Sequence, residues 1–336
     1  MNSFFIKTKE DLKILFLNTS AKLGLSEAAV EKDYWMSFVL DYLFHVSQWK
    51  NAFTLKGGTS LSKCYKLIER FSENLDLILD WRVLGYEANE PWEKRSKAKQ
   101  DKFNKEINAK TADFLQKKLL KDIERDFRKI LKWEFQIRID KENPQTILFE
   151  YPKVFKSSYL TQNIQLEIGC LAAWMPSRPT EIFPLIAEEY PHILKEKIII
   201  RSIISERTFW EKATILHHEA HRPQCSPMPR RYARHYYDLY NMAISPIKET
   251  AIRNIKLLKE VVDLKKRFYP RTWAKYGDIL QGQIRLLPDE YRFNEIKKDY
   301  GAMQEMIYGD YPTFTKMMKI LKELEKEINQ AIVFEK

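Results

Sequence analysis

Leu75, Leu77 and Leu79 alternate with Asn74, Asp76, Ile78 and Asp80, the two-residue period of a strand that buries one face and wets the other. The same period returns over 132–139, where Trp133, Phe135, Ile137 and Ile139 alternate with Lys132, Glu134, Gln136 and Arg138. It returns again over 163–168, where Ile164, Leu166 and Ile168 point inward and Glu167 lies on the opposite face. Residues 146–155 read as a partner strand and 197–200 as a further short one. Elsewhere the spacing is helical. Ser26-Glu27 is a helix start, and Trp35, Val39, Tyr42 and Val46 fall on one stripe after it. Residues 61–70 read as a helix ahead of the first acidic strand. From about 88 to 129 the chain is densely charged, with Phe103, Phe114, Leu115, Leu119 and Leu120 as its apolar stripe. This predicts a charged helical insertion, either a solvated hairpin or a basic arm that touches RNA. Helices are expected over 205–220, 232–243, 247–267 and 311–334, with a loop carrying Pro223, Pro227 and Pro229 among them. Strands first and helices afterwards predict an α+β protein with a mixed sheet. The expected domains are 1–203 and 204–336.

Composition narrows the class. A chain of 336 residues has room for two domains at roughly 150 residues each. Hydrophobic content of 44%, with only 9 glycines and 14 prolines, favours a packed core over disorder. Lys and Arg number 57 against 46 Asp and Glu, a net charge of +11 that favours a polyanionic partner. Cys64, Cys170 and Cys225 are widely spaced and contain no CxxC pair, so they read as reduced thiols of a cytoplasmic protein. The N-terminal Phe4-Phe5-Ile6 is interrupted by lysines, which leaves no signal-peptide core. No apolar run approaches the ~18 residues of a membrane span, so no membrane partner is expected.

The chemistry concentrates between residues 55 and 80. Gly57-Gly58 lets a turn approach a bulky anion closely, and Thr59, Ser60 and the amides of an opening helix are candidates to hold phosphate oxygens. Asp76 follows on the acidic strand, and Glu167 repeats that pattern on another strand. Hard Mg²⁺ prefers such oxygens, and two carboxylates on one sheet face can share a metal. Glycine turn, helix and acidic strand together resemble the layout of a polymerase-β-like nucleotidyltransferase.

Four blocks carry a closer resemblance. They are Glu31-Lys32-Asp33-Tyr34-Trp35, the stretch 55–77, Arg207-Thr208-Phe209-Trp210-Glu211-Lys212 through Leu216-His217, and Arg234-His235-Tyr236-Tyr237-Asp238-Leu239-Tyr240. In this order, over residues 31–241, the sequence resembles the AbiEii/AbiGii toxin family of nucleotidyltransferases. The resemblance implies a mixed-sheet polymerase-β-like core, a C-terminal helical bundle and a cleft between them. It also implies that Gly57, Gly58, Thr59 and Ser60 hold the triphosphate, that Asp76 and Glu167 hold Mg²⁺, and that Lys212 reaches phosphate oxygens. Asp238 would lie near the nucleotide or the attacking hydroxyl. A cognate antitoxin is implied as partner, with an NTP as substrate; the basic charge favours tRNA or another RNA as acceptor.

One position departs from the pattern. The family's metal strand presents Asp-x-Asp, whereas here the first position is Asn74, which can coordinate through its amide oxygen but brings no charge. A natural low-activity form, an inactivating substitution and a protein that only binds nucleotide all fit. A nucleotidyltransferase or kinase acting on protein is a further reading. Lys212 read alone is a surface helix lysine, and Asp238 a satisfied buried acid. His217, His218, Glu219 and His221 lack the order of a zincin motif; they read as helix-end or RNA-facing residues. No Walker A or dinucleotide fingerprint is present.

Overall fold

The computed structural model describes residues 8–72, 74–157, 160–193 and 197–334, with the side chains of Glu188 and Ile193 left aside. Glu73, beside the acidic strand, lies outside the described residues. Two compact units emerge. The first comprises Met1–Cys64 and Phe71–Ile203, the second Tyr65–Arg70 and Ile204–Lys336.

A seven-stranded sheet organises the first unit. Its strands are β1 (Phe53–Lys56), β2 (Asn74–Leu79), β3 (Gln136–Ile139), β4 (Thr146–Glu150), β5 (Ile164–Gly169), β6 (Ser177–Ile182) and β7 (Ile198–Ile203), in the order β3-β4-β5-β2-β1-β7-β6. β2 pairs antiparallel with β1 and parallel with β5, and β1 pairs parallel with β7, so the sheet is mixed. The fold is α+β. Leu75, Leu77, Leu79, Ile164, Leu166 and Ile168 are all buried, as the alternation requires. The edge strand β6 went unread because Ser177–Ile182 carries Pro179 and no alternation; proline is tolerated at an edge.

The helices of this unit are α1 (Lys9–Leu23), α2 (Glu27–Asp41), the single turn α3 (Gly57–Thr59), α4 (Lys97–Phe114), α5 (Leu120–Ile130) and α6 (Leu185–Glu189). α2 is not amphipathic. Residues 28–41 are buried on every side, whereas Val46, assigned to the stripe, is exposed. Trp35 stacks on Tyr151 and meets Phe149 edge-on. The charges of the Glu31-Lys32-Asp33 block are consumed internally. Glu31 accepts from the amides of Val154 (2.7 Å) and Phe155 (3.1 Å), Lys32 donates to the Thr161 carbonyl (2.7 Å), and Asp33 takes the Leu185 amide (2.7 Å) and the Lys63 ammonium (2.5 Å). Burial still pushes the Glu31 carboxyl up to about 7.

The expected charged insertion is part of the core. α4 continues through a helical turn at Leu115–Leu119 into α5, and Phe103, Ile107, Phe114, Leu115, Leu119, Ile123 and Phe127 are buried along it. Phe127 meets Phe38, Tyr42 and Phe149. Leu120 is only half-buried, so the stripe runs through Ile123 and Phe127 instead. The helix expected over 61–70 is also corrected. A wide helical turn ends at Cys64, Lys66 has φ +50°, and Arg70 forms an antiparallel bridge with Ile307.

The second unit is helical. It holds α7 (Ser205–Ala220), α8 (Ala233–Ala243), α9 (Ile247–Ile252), α10 (Ile255–Phe268), α11 (Tyr276–Ile279), α12 (Phe293–Ala302) and α13 (Phe314–Phe334). The helix expected over 247–267 divides at Arg253-Asn254, where the Asn254 side chain caps α10 by accepting the Leu257 amide. Among the described residues no helix is long and apolar enough to cross a membrane.

Candidate active site

The acidic strand and its neighbours bring Asn74, Asp76 and Glu167 together. Asp76 stands in register with Glu167 across the parallel β2–β5 pair, and Asn74 with Gln165. Neighbouring strands lie about 4.8 Å apart and residues two apart share a face, so these side chains form one patch. Lys56, in register with Asp76 on the other side, joins the same row. The Asn74 amide donates through Nδ2 to Glu167 Oε1. All of these side chains are half-buried, the environment of groups that exchange a ligand with solvent.

The glycine turn presses on this row. Gly57 has φ +75°, and a Cβ built on it would lie 2.2 Å from Asp76 Oδ2. Both the left-handed backbone and the close carboxylate demand glycine there. Thr59 and Ser60 behave differently from expectation. Thr59 Oγ1 donates to the Asn74 carbonyl at 2.7 Å, Ser60 Oγ donates to the Gly57 carbonyl at 2.9 Å, and both residues are buried. The Thr59 proton pins the turn to the strand and the Ser60 proton closes the turn on itself, which leaves main-chain amides of the turn as the donors for an anion. Asp80, on the same strand face, is committed to the Arg82 amide and guanidinium.

Asp76 and Glu167 supply adjacent carboxylate oxygens, a donor set that suits Mg²⁺. With its Nδ2 hydrogen on Glu167, Asn74 keeps Oδ1 as an uncharged oxygen donor. The residues present therefore fit the ion, with one carboxylate fewer than two acids on β2 would give.

Lys212 and Asp238 are placed in the second unit, in a buried charge cluster. Asp238 is 0% exposed. Arg70 grips it with Nε at 2.6 Å and Nη2 at 2.8 Å, and Lys212 Nζ lies 2.7 Å from Oδ2. These two cations hold the Asp238 carboxyl well below the usual carboxylate range despite its burial. Burial lowers the Lys212 ammonium in turn, against the pull of Asp238. His235 Nδ1 lies 3.1 Å from Lys212 Nζ, so the ammonium donates and the imidazole accepts. Burial first, and then Lys212, push His235 well below its ordinary value. Arg70 was not singled out from the sequence, where no local pattern marks it for a partner 168 residues away. Its neighbour Glu69 is also held, with its carbonyl accepting the Tyr308 amide at 2.9 Å and its carboxylate the Asp310 amide at 3.2 Å.

His217 of α7 is spent on main-chain contacts. His217 accepts the Arg285 amide at Nδ1 (3.0 Å) and donates from Nε2 to the Lys275 carbonyl (3.2 Å). Burial brings His217 and His218 down to about 4.

Comparison with known proteins now bears on this arrangement. The model of the nucleotidyl transferase AbiEii toxin family, of type IV toxin–antitoxin systems, matches residues 40–325. The chain belongs to this family. Among solved structures it is similar to MenT4, a nucleotidyltransferase toxin of Mycobacterium tuberculosis H37Rv, at 14% identity, covering 95% of this chain and 98% of that one with a TM-score of 0.42. It is also similar to a Helicobacter pylori protein described as a nucleotidyltransferase, at 16% identity, 93% and 99% coverage and a TM-score of 0.48. JHP933 from Helicobacter pylori matches at 17% identity, 93% and 100% coverage and a TM-score of 0.40. Comparison with curated protein sequences finds no match.

Proposed function

We propose that this AbiEii-family protein transfers a nucleotidyl group from an NTP to a hydroxyl of RNA, with tRNA the acceptor that best suits its net charge, in the cytoplasm and under the control of a cognate antitoxin. The observation that carries the reading is the Asp76–Glu167 register beneath a turn whose Gly57 has no room for a Cβ. Mg²⁺ at these carboxylates would neutralise the triphosphate oxygens and polarise the α-phosphorus. Main-chain amides of the turn orient the β- and γ-phosphates. Glu167 takes the proton of the acceptor hydroxyl as its oxygen bonds to the α-phosphorus. The bond from that phosphorus to the bridging oxygen breaks, and pyrophosphate leaves. Lys212 directs N–H groups at Asp238 and His235 inside the helical unit. Asp238 acts as a positioning group that holds Lys212 and Arg70, rather than as a base.

The Asn74–Glu167 hydrogen bond supports a second reading, a protein that binds nucleotide without turning it over. Incubation with α-labelled NTPs, Mg²⁺ and total RNA or total protein separates the readings. Label in RNA is the expected result. Label in protein alone transfers the reading to protein modification, and tight NTP binding with no label in either establishes the silent form.

A further inference from the structure

We propose that the strip of sheet face beyond Asp76 and Glu167, opened by Gly169 and bordered by Trp174, is the subsite for the nucleoside of the triphosphate. The inference rests on the reading of Asp76, Glu167 and the glycine turn as a metal–triphosphate site. Direction comes from the strands. β1 runs antiparallel to β2 with Lys56 opposite Asp76, so Gly57 lies toward the Asn74 end of the row. Ile78 and its register partner Gly169 lie on the other side of the carboxylates and on the same face. The step from Asp76 to Ile78 is about 6.6 Å, the order of the span from an α-phosphate across its ribose.

Gly169 is the informative residue. Its φ is not in the left-handed region, and a Cβ built on it meets nothing within 4 Å. Neither backbone nor packing asks for glycine there, unlike Gly57. The missing side chain leaves open space directly beside Glu167.

The packing behind that space is apolar and aromatic. Ile78, Ala172 and Ile203 form a small cluster on this face, with half-buried Trp174 packed against it. The Trp174 ring lies 3.9 Å from that of Trp81, and Trp81 is anchored through Nε1 to the carbonyls of Glu87 and Ala88. The Arg82 guanidinium sits 5.7 Å from the Trp174 ring centre. An open glycine position and a half-buried indole supported from behind, adjoining two metal-type carboxylates, match a ligand that is apolar at one end and polyanionic at the other. A nucleobase joined to a triphosphate is such a ligand, and bases stack on aromatic rings with little demand on sequence.

Equilibrium titration of the full chain with each Mg²⁺-NTP and, separately, with Mg²⁺-tripolyphosphate tests this. Gly169→Leu fills the space and Trp174→Ala removes the wall; unchanged thermal midpoints confirm that both fold. At least a tenfold loss of NTP affinity in Gly169→Leu, a smaller loss in Trp174→Ala and unchanged tripolyphosphate binding in both are expected. Wild-type NTP affinity in both variants, or equal weakening of NTP and tripolyphosphate, would overturn the subsite while leaving the triphosphate site standing. Wild-type protein that binds neither ligand would instead remove the triphosphate site, and the subsite with it.

Discussion

The two charge constellations of this chain have similar ingredients and opposite designs. In the sheet unit, Asn74, Asp76 and Glu167 are half-buried, and the Asn74 amide donates to Glu167. In the helical unit, Asp238 is buried and clasped by Arg70, Lys212 and, through Lys212, His235. Carboxylates set side by side on a half-buried sheet face are placed to receive a cation. A carboxylate whose lone pairs are already taken by two cations is placed to hold its neighbours. Sharing of charge within the molecule therefore separates the group that binds from the group that positions.

Removing the buried acid is the harshest test of this contrast. Asp238→Asn strands Arg70 and Lys212 in the interior, which costs about 3–5 kcal/mol, read as a shift of the urea midpoint. Asp76→Asn, by contrast, is expected to change the same midpoint little while abolishing nucleotidyl transfer. A comparable loss of stability in both variants would erase the distinction.

Acid sharpens the comparison further. His217, His218 and His235 have folded pKa values below their ordinary 6.5, so the unfolded chain binds protons first as pH falls. The helical unit therefore loses stability between about pH 6.5 and 4, by up to ~1.4 kcal/mol per pH unit for each histidine. Glu31 in the sheet unit has the opposite sign. Its folded carboxyl, near 7, binds a proton before the unfolded one does, so its contribution to stability rises as pH falls from 7 toward 4.5. Asp238 adds its own loss only below the usual carboxylate range. Hydrogen exchange of α7 and α8 amides against α2 amides, corrected for intrinsic rates, is expected to show protection diverging across this window. Parallel pH slopes in the two sets would contradict the assignment.

A smaller effect is expected at Gly57. Gly57→Ala meets a φ of +75° and the Asp76 carboxylate at 2.2 Å, a strain of about 1–3 kcal/mol, with transfer activity lost alongside. The smallest is at Asn74. Asn74→Asp replaces an amide donor to Glu167 with a like charge, so in chelator stability falls by about 0.2–1 kcal/mol. Mg²⁺ should reverse the sign, and transfer activity and toxicity should rise. Metal affinity and nucleotide incorporation equal to those of the Asn74 form would count against the metal row.

Much of the sheet was legible because a two-residue period exposes which face each residue takes. Leu75, Leu77 and Leu79 against Asn74 and Asp76 needed no partner strand to be read. The register that sets Asp76 beside Glu167 was not legible, since no local pattern fixes how two parallel strands slide. Thr59 and Ser60 were read as phosphate ligands because hydroxyls after glycines suit that role. Thr59 is instead spent on the Asn74 carbonyl, on a strand that returns fifteen residues later, and Ser60 on the Gly57 carbonyl within the turn itself. Arg70 was hidden for the same reason on a larger scale: it ends the 65–70 segment rather than a helix, and its partner lies 168 residues away. The charged stretch 88–129 looked solvated because lysines dominate its count, although Phe103, Ile107, Ile123 and Phe127 recur at core spacing.

The most direct test of the central claim is Mn²⁺ binding, followed by its paramagnetic signal in the presence of a non-hydrolysable NTP, for the wild type, Asp76→Asn and Glu167→Gln. The expected result is NTP-dependent Mn²⁺ binding in the wild type, lost in both variants while their urea midpoints stay within about 1 kcal/mol of the wild type. Mn²⁺ binding that survives both substitutions would place the metal elsewhere and remove the basis for assigning transfer to this sheet face.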